Sequence, residues 1–107
     1  MTETLIWKGK SGKGYKYWIY GLDGTHDPMP ANYIFAKKLG GAYYTPIHIG
    51  ETEDISERFD NHPKMPCIRR NGATHLCTHK GDDDKTVRRA EEADLVNNYN
   101  PPCDDEQ

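Results

Sequence analysis

The chain has 107 residues, 35% hydrophobic and 29% charged, with a formal net charge of -3. That length supports a single domain over residues 1–107 with one modest core, burying roughly two thirds of the unfolded surface; the charge excludes a polycation that holds nucleic acid by phosphate neutralisation alone. No apolar run approaches the ~20 residues of a membrane span, and the opening MTETLIWKGKSGKG lacks a signal peptide's apolar stretch, so a soluble cytoplasmic protein with no membrane association is expected.

Acid collects at Asp82 to Asp84 and in the CDDEQ end, giving an acidic flexible tail over 104–107. Lysine and arginine cluster at Lys8, Lys10, Lys13 and Lys16, at Lys37 and Lys38, at Arg69 and Arg70, and at Arg88 and Arg89. This distribution permits a local basic face despite the sum. Cys67, Cys77 and Cys103 are odd in number and form no CxxC pair, so reduced thiols are expected.

GYKYWIYGL (14–22) is rich in aromatic and β-branched residues and reads as a strand, followed by the loop DGTHDPMP (23–30). ANYIFAKKL (31–39) reads as the next strand. Gly40 and Gly41 allow a tight reversal, and AYYTPIHIG (42–50) returns as its hairpin partner. Pro46 cannot donate to a ladder, which places it at an edge or a bulge. Alternation puts Ile47 and Ile49 on one face and His48 on the other.

Thr52, Glu53 and Asp54 have the character of a helix start, with Pro63 ending the helix after His62. Arg58 and His62 would then share a face, beside Ile55 and Phe59. Residues 65–72 read as a loop and ATHLCTHKG (73–81) as a strand. A long helix is expected over about 83–99, its buried stripe formed by Leu95, Val96 and Tyr99, with Glu92 one turn before Val96. Trp7, Trp18, Ile19, Ile34, Phe35, Ile47, Ile49, Phe59 and Leu95 are the expected core.

A carboxylate on an apolar stripe and a histidine at a strand end both raise the question of function. The plain alternatives are a surface histidine, a salt bridge from Arg58 to Asp54 or Glu57, pairing of Glu92 with Arg88 or Arg89, and an amphipathic strand position for Tyr33. His75, Cys77 and His79 alternate along one strand face. A zinc-stabilised interaction domain is a competing use of them, although the spacing matches no familiar zinc motif.

The ordered set of ANY (31–33), HIG (48–50), ERFDNH (57–62) and AEEADLVNNYNPPCD (90–104) resembles the GIY-YIG nuclease domain, with a core over about 30–104. ANY stands where that family has GIY, HIG where it has YIG, ERFDNH where it has its arginine helix, and the last segment where a glutamate precedes a hydrophobic pair and a proline-rich exit. The chain departs from the pattern at Ala31, at His48 in place of the second motif tyrosine, and at Asp104 in place of the usual asparagine.

The resemblance implies an α+β fold, a small central antiparallel sheet flanked by helices, here with an extra N-terminal strand. It also implies hydrolysis of DNA phosphodiester bonds with one Mg²⁺ or Mn²⁺ ion. Glu92 would hold the metal, whose charge would favour the leaving oxygen. Arg58 would grip the scissile phosphate. Tyr33 would take part in removing a proton from water, with His48 and His62 sharing that proton or orienting the phosphate, and Asp104 supporting them. The alternative is a catalytically degenerate domain of this kind that binds nucleic acid or protein without cutting.

Overall fold

The computed structural model describes residues 3–57 and 62–104. Five strands, β1 (Thr4–Lys8), β2 (Gly14–Gly21), β3 (Ala31–Gly40), β4 (Tyr43–Thr52) and β5 (His75–Lys80), form one antiparallel sheet in the order β1-β2-β5-β3-β4. Helices α1 (Met65–Arg70) and α2 (Lys85–Tyr99) complete an α+β fold. The 14–22, 31–39 and 42–50 strands and the long C-terminal helix form as their sequences imply. β1 is an addition, its Leu5 and Trp7 turned inward and Ile6 left exposed.

Each face of the sheet carries its own apolar cluster. On one, Ala31, Tyr33, Phe35, Ile47 and Leu76 pack with Ile55, Met65, Ile68 and Cys103. On the other, Trp7, Tyr17, Ile34, Ile49 and Cys77 pack against Leu95 of α2. Trp18, expected in the core, is 37% exposed: the strand's alternation turns Tyr17 inward and Trp18 out.

Ile47 and Ile49 lie in different clusters, contrary to simple alternation. The pairing register shifts between Phe35 and Ala36, opposite His48 and Pro46, leaving Ile47 as the extra residue of a bulge. An inserted residue resets the side-chain alternation. Pro46 thus sits at a bulge on an edge strand, where its missing N–H is tolerated. The β3–β4 reversal uses Gly40 and Gly41, at φ 152° and 54°, conformations that glycine adopts without penalty.

Two expectations between β4 and β5 fail. Residues 53–57 are bend and turn rather than helix. Asp54 N–H donates to Thr52 Oγ1 at 3.1 Å, and the Ser56 N–H and hydroxyl donate to Asp54 Oδ1 at 2.9 and 2.5 Å. Such local bonds from short polar side chains compete with helix formation. The expected loop, in turn, contains α1. Pro66 occupies its first turn, where no N–H is required, and Met65 and Ile68 face the core. Arg58 and Phe59, together with tail residues 105–107, lie outside the described residues.

The expectation of reduced thiols is also corrected. Cys67 and Cys103 form a disulfide, with Cα atoms 5.8 Å apart, and Cys77 alone is free and buried. The two half-cystines are far apart in sequence and meet only because the chain end returns along β4. Cys77 is sealed in the core. His79 stacks on Tyr17 with ring centres 4.2 Å apart, and its Nδ1 donates to Lys16 O at 2.8 Å. Among the described residues no group of three His, Cys, Asp or Glu side chains is placed to hold a metal ion, so the zinc reading has no cage. No helix there is long and apolar enough to cross a membrane.

Candidate active site

Tyr33 pairs with Gly50 across the β3–β4 hairpin, and its ring lies over that glycine. A Cβ at Gly50 would stand 2.5 Å from the phenolic oxygen and 2.6 Å from Cζ, closer than any side chain tolerates. The glycine of HIG is therefore dictated by the tyrosine of ANY. Because β2 is separated from β4 by β5 and β3, Tyr20 of the superficially similar WIYG has no such partner.

His62 Nε2 lies 2.9 Å from the Tyr33 hydroxyl, and its Nδ1 accepts the Lys64 N–H at 3.0 Å. An amide can only donate, so in the neutral ring the proton is on Nε2, which donates to Tyr33 Oη. Burial first, then the His48 charge, lowers the His62 pKa, with Asp104 opposing and Lys64 adding to the fall. The neutral ring is the favoured form.

The His48 ring centre is 5.0 Å from that of His62 and 5.9 Å from that of Tyr33. Its Nδ1 faces Asp104 Oδ1, a contact between two largely buried side chains. The other Asp104 oxygen accepts Ile49 N–H at 2.8 Å, and Cys103 N–H donates to Ile47 O at 3.0 Å. The chain end thus satisfies the outer edge of β4 where the bulge opens it. The disulfide to α1 holds that end in place.

Glu92, on α2, completes the group electrostatically. Burial, followed by the charges of Glu51 and Asp104, pushes its pKa from 4.5 up to about 7, with His48 and Arg89 opposing. Burial, then Glu92, Asp104 and Glu51, likewise holds the Tyr33 phenol well above its ordinary value. Neither Arg88 nor Arg89 pairs with Glu92, because both are directed to Glu51, so Arg89 offsets the rise only in part. Arg88 Nε donates to Glu51 Oε1 at 2.8 Å, and Arg89 Nε lies 3.7 Å from Oε2. Arg88 is 2% exposed and also donates to Asp82 O, so it belongs to a buried bridge rather than to a basic surface. Comparison with protein-family models, curated proteins and solved structures finds no match for this chain.

Tyr33, His48, His62 and Asp104 therefore lie together at the open end of the β3–β4 hairpin, and Glu92 on α2 acts on Tyr33 through its charge. Arg58 lies outside the described residues. Glu51 was not legible as a participant. Its signal is its position directly after Gly50 at a half-buried strand end, which by itself indicates nothing.

A hard divalent cation suits the Glu92 region on one physical ground. A partly buried carboxylate with two further carboxylates acting on it, and with no ion pair among the described residues, is stabilised by positive charge. Mg²⁺ commonly uses one or two protein carboxylates and retains its waters, so a single donor is compatible with the absence of a larger cage.

Proposed function

We propose that this protein is a metal-dependent endonuclease that hydrolyses DNA phosphodiester bonds in a GIY-YIG-like manner. The observation that carries the reading is the convergence of Tyr33, His48, His62 and Asp104, drawn from separate segments of the chain, with the unpaired and only partly offset carboxylate of Glu92 acting on them. The resemblance supplies the order hairpin, helix, strand, helix; α1 (Met65–Arg70) is not the Arg58- and His62-bearing helix that it implies, and two strands, β1 and β2, precede the hairpin.

In this reading Glu92 holds Mg²⁺ or Mn²⁺, which supplies charge for the leaving oxygen. Tyr33, having lost its own proton to solvent and held by the His62 Nε2–H, would accept the proton that the attacking water gives up and become the neutral phenol; burial and the nearby carboxylates make it a strong base once ionised. Asp104 fixes the orientation of His48 through Nδ1, directing Nε2 to a phosphate oxygen or to water. Arg58 grips the phosphate as a planar, permanently charged donor.

The degenerate, non-cutting alternative began from the replacements at His48 and Asp104. Those two residues are direct partners of each other, which favours a compensated exchange over decay. Supercoiled plasmid incubated with pure protein should be nicked with Mg²⁺ and left intact in EDTA or with Glu92→Gln. Cleavage that survives EDTA rejects the metal scheme, and folded protein that never cuts leaves the binding alternative.

A further inference from the structure

The sheet register places Thr4, Trp18, Thr78, Tyr33 and Gly50 in one row across all five strands. Trp18 is thus on the same face as Tyr33, two strand spacings away, or ~10 Å. Helix α1 packs with the β3–β4 half of this face, whereas the β1–β2 half exposes Ile6, Lys8, Lys16 and Trp18, with Lys80 beside them on β5. Lys16 Nζ lies 5.5 Å from the Trp18 ring centre. Among the described residues none of Lys8, Lys16 and Lys80 is ion-paired. This patch is cationic and aromatic on a chain of net negative charge.

Next to Trp18 is a recess of about 240 Å³, floored by Thr78 and bounded by Tyr20, His26, Asp27 and Lys80. That is below the roughly 300–1,000 Å³ of most small-molecule sites, a size suited to one flat ring. His26 stands edge-on to Tyr20 with centres 4.9 Å apart, and its Nε2 is buried without a hydrogen-bond partner. The Asp27 carboxylate repels phosphate on its side, whereas Lys16 and Lys80 attract it.

We propose that this face binds an unpaired segment of the DNA substrate, with one base stacked at Trp18 in the recess and the adjoining phosphates at Lys16 and Lys80. The assignment rests on the nuclease reading in taking DNA as the polymer. A single strand is favoured over a duplex because only an unstacked base can enter a recess and offer its face to Trp18. The row leading to Tyr33 would then hold substrate with a single-stranded portion beside the cleaved bond.

Fluorescence anisotropy in EDTA, with a short labelled single strand and the matching duplex, tests this without cleavage. Tighter binding of the single strand is expected, with quenching of tryptophan emission. Trp18→Ala should weaken single-strand binding at least about fivefold, Trp18→Phe should retain most of it, and Lys16→Gln should reduce the salt slope by about one. Equal binding by parent and Trp18→Ala, or preference for duplex, overturns the inference. So does light scattering that detects a dimer dissolved by Trp18→Ala, which would assign the face to a second copy. Plasmid nicking by the same preparations reports separately on the nuclease reading. Nicking without single-strand preference removes only this inference, and Trp18-dependent binding without nicking removes only catalysis.

Discussion

Replacing Glu92 by glutamine keeps the side chain's shape and removes the charge that burial, Glu51 and Asp104 disfavour. In the metal-free protein the Glu92 pKa rises from 4.5 to about 7, so between those values the folded state binds more protons than the unfolded chain. Stability then falls as pH rises through this window, and the penalty is complete above about pH 7. At ~1.36 kcal/mol per tenfold change in proton affinity, the ceiling is about 3 kcal/mol. Because the carboxylate is partly open to water, screening reduces this to about 1–2 kcal/mol. For a domain of this size that corresponds to about 5–10 °C in Tm. Melting followed by circular dichroism, without metal, should place Glu92→Gln above the parent by that amount at pH 8 and level with it at pH 4. Addition of Mg²⁺ at pH 8 should raise the parent's Tm and leave the variant's unchanged. A variant that melts at or below the parent at pH 8 would refute the electrostatic argument, and equal stabilisation of both proteins by Mg²⁺ would remove Glu92 from the metal.

Three further outcomes are expected. Tyr33→Phe should lower plasmid nicking by roughly 10² or more, the scale of a proton-transfer group, while Tyr20→Phe stays near the parent; the opposite pattern would move the site to β2. Asp104→Asn should reduce nicking by roughly tenfold or more, and adding His48→Tyr, which restores both residues of the family pattern, should recover part of it; additive losses would mean that the pair is not a unit. Cys103→Ser should lower unfolding free energy in urea by about 2–4 kcal/mol, because the bridge closes a separation of 36 residues; an unchanged midpoint under non-reducing conditions would show that the disulfide does not form.

The hairpin was legible because its signals agree: β-branched and aromatic runs, a double glycine, and a proline that only an edge or bulge admits. Helix α2 was equally plain, from strong helix formers ended by Asn100 and Pro101. The failures have local causes. Thr52, Glu53 and Asp54 resemble a helix start, yet Thr52 and Asp54 close a turn with Ser56 when β4 continues through Thr52. Helix α1 is too short to display a period, and its proline reads as a loop. The Ile47 bulge cannot be seen in an alternating strand, because it depends on how the partner strand aligns. At the site, Tyr33, His48 and Glu92 stood out by type and spacing, whereas the role of Glu51 arises from the α2 arginines facing β4 in three dimensions.

The chain end connects these observations. A bulge at Ile47 opens the outer edge of β4, and an open edge needs its polar groups satisfied. Cys103 N–H and an Asp104 carboxylate oxygen meet that need at Ile47 O and Ile49 N–H. Because the same carboxylate faces His48, the residue that completes the edge also orients the histidine. The Cys67–Cys103 bridge anchors this segment to α1, just after His62 and Lys64 in the chain. Loss of the bridge should therefore act on two contacts of the site, His48 through Asp104 and Tyr33 through His62, as well as on global stability. Nicking measured well below the melting temperature, where parent and variant are both fully folded, would separate these effects. Simple destabilisation of Cys103→Ser leaves activity there unchanged, whereas loosened His48–Asp104 and Tyr33–His62 contacts lower it.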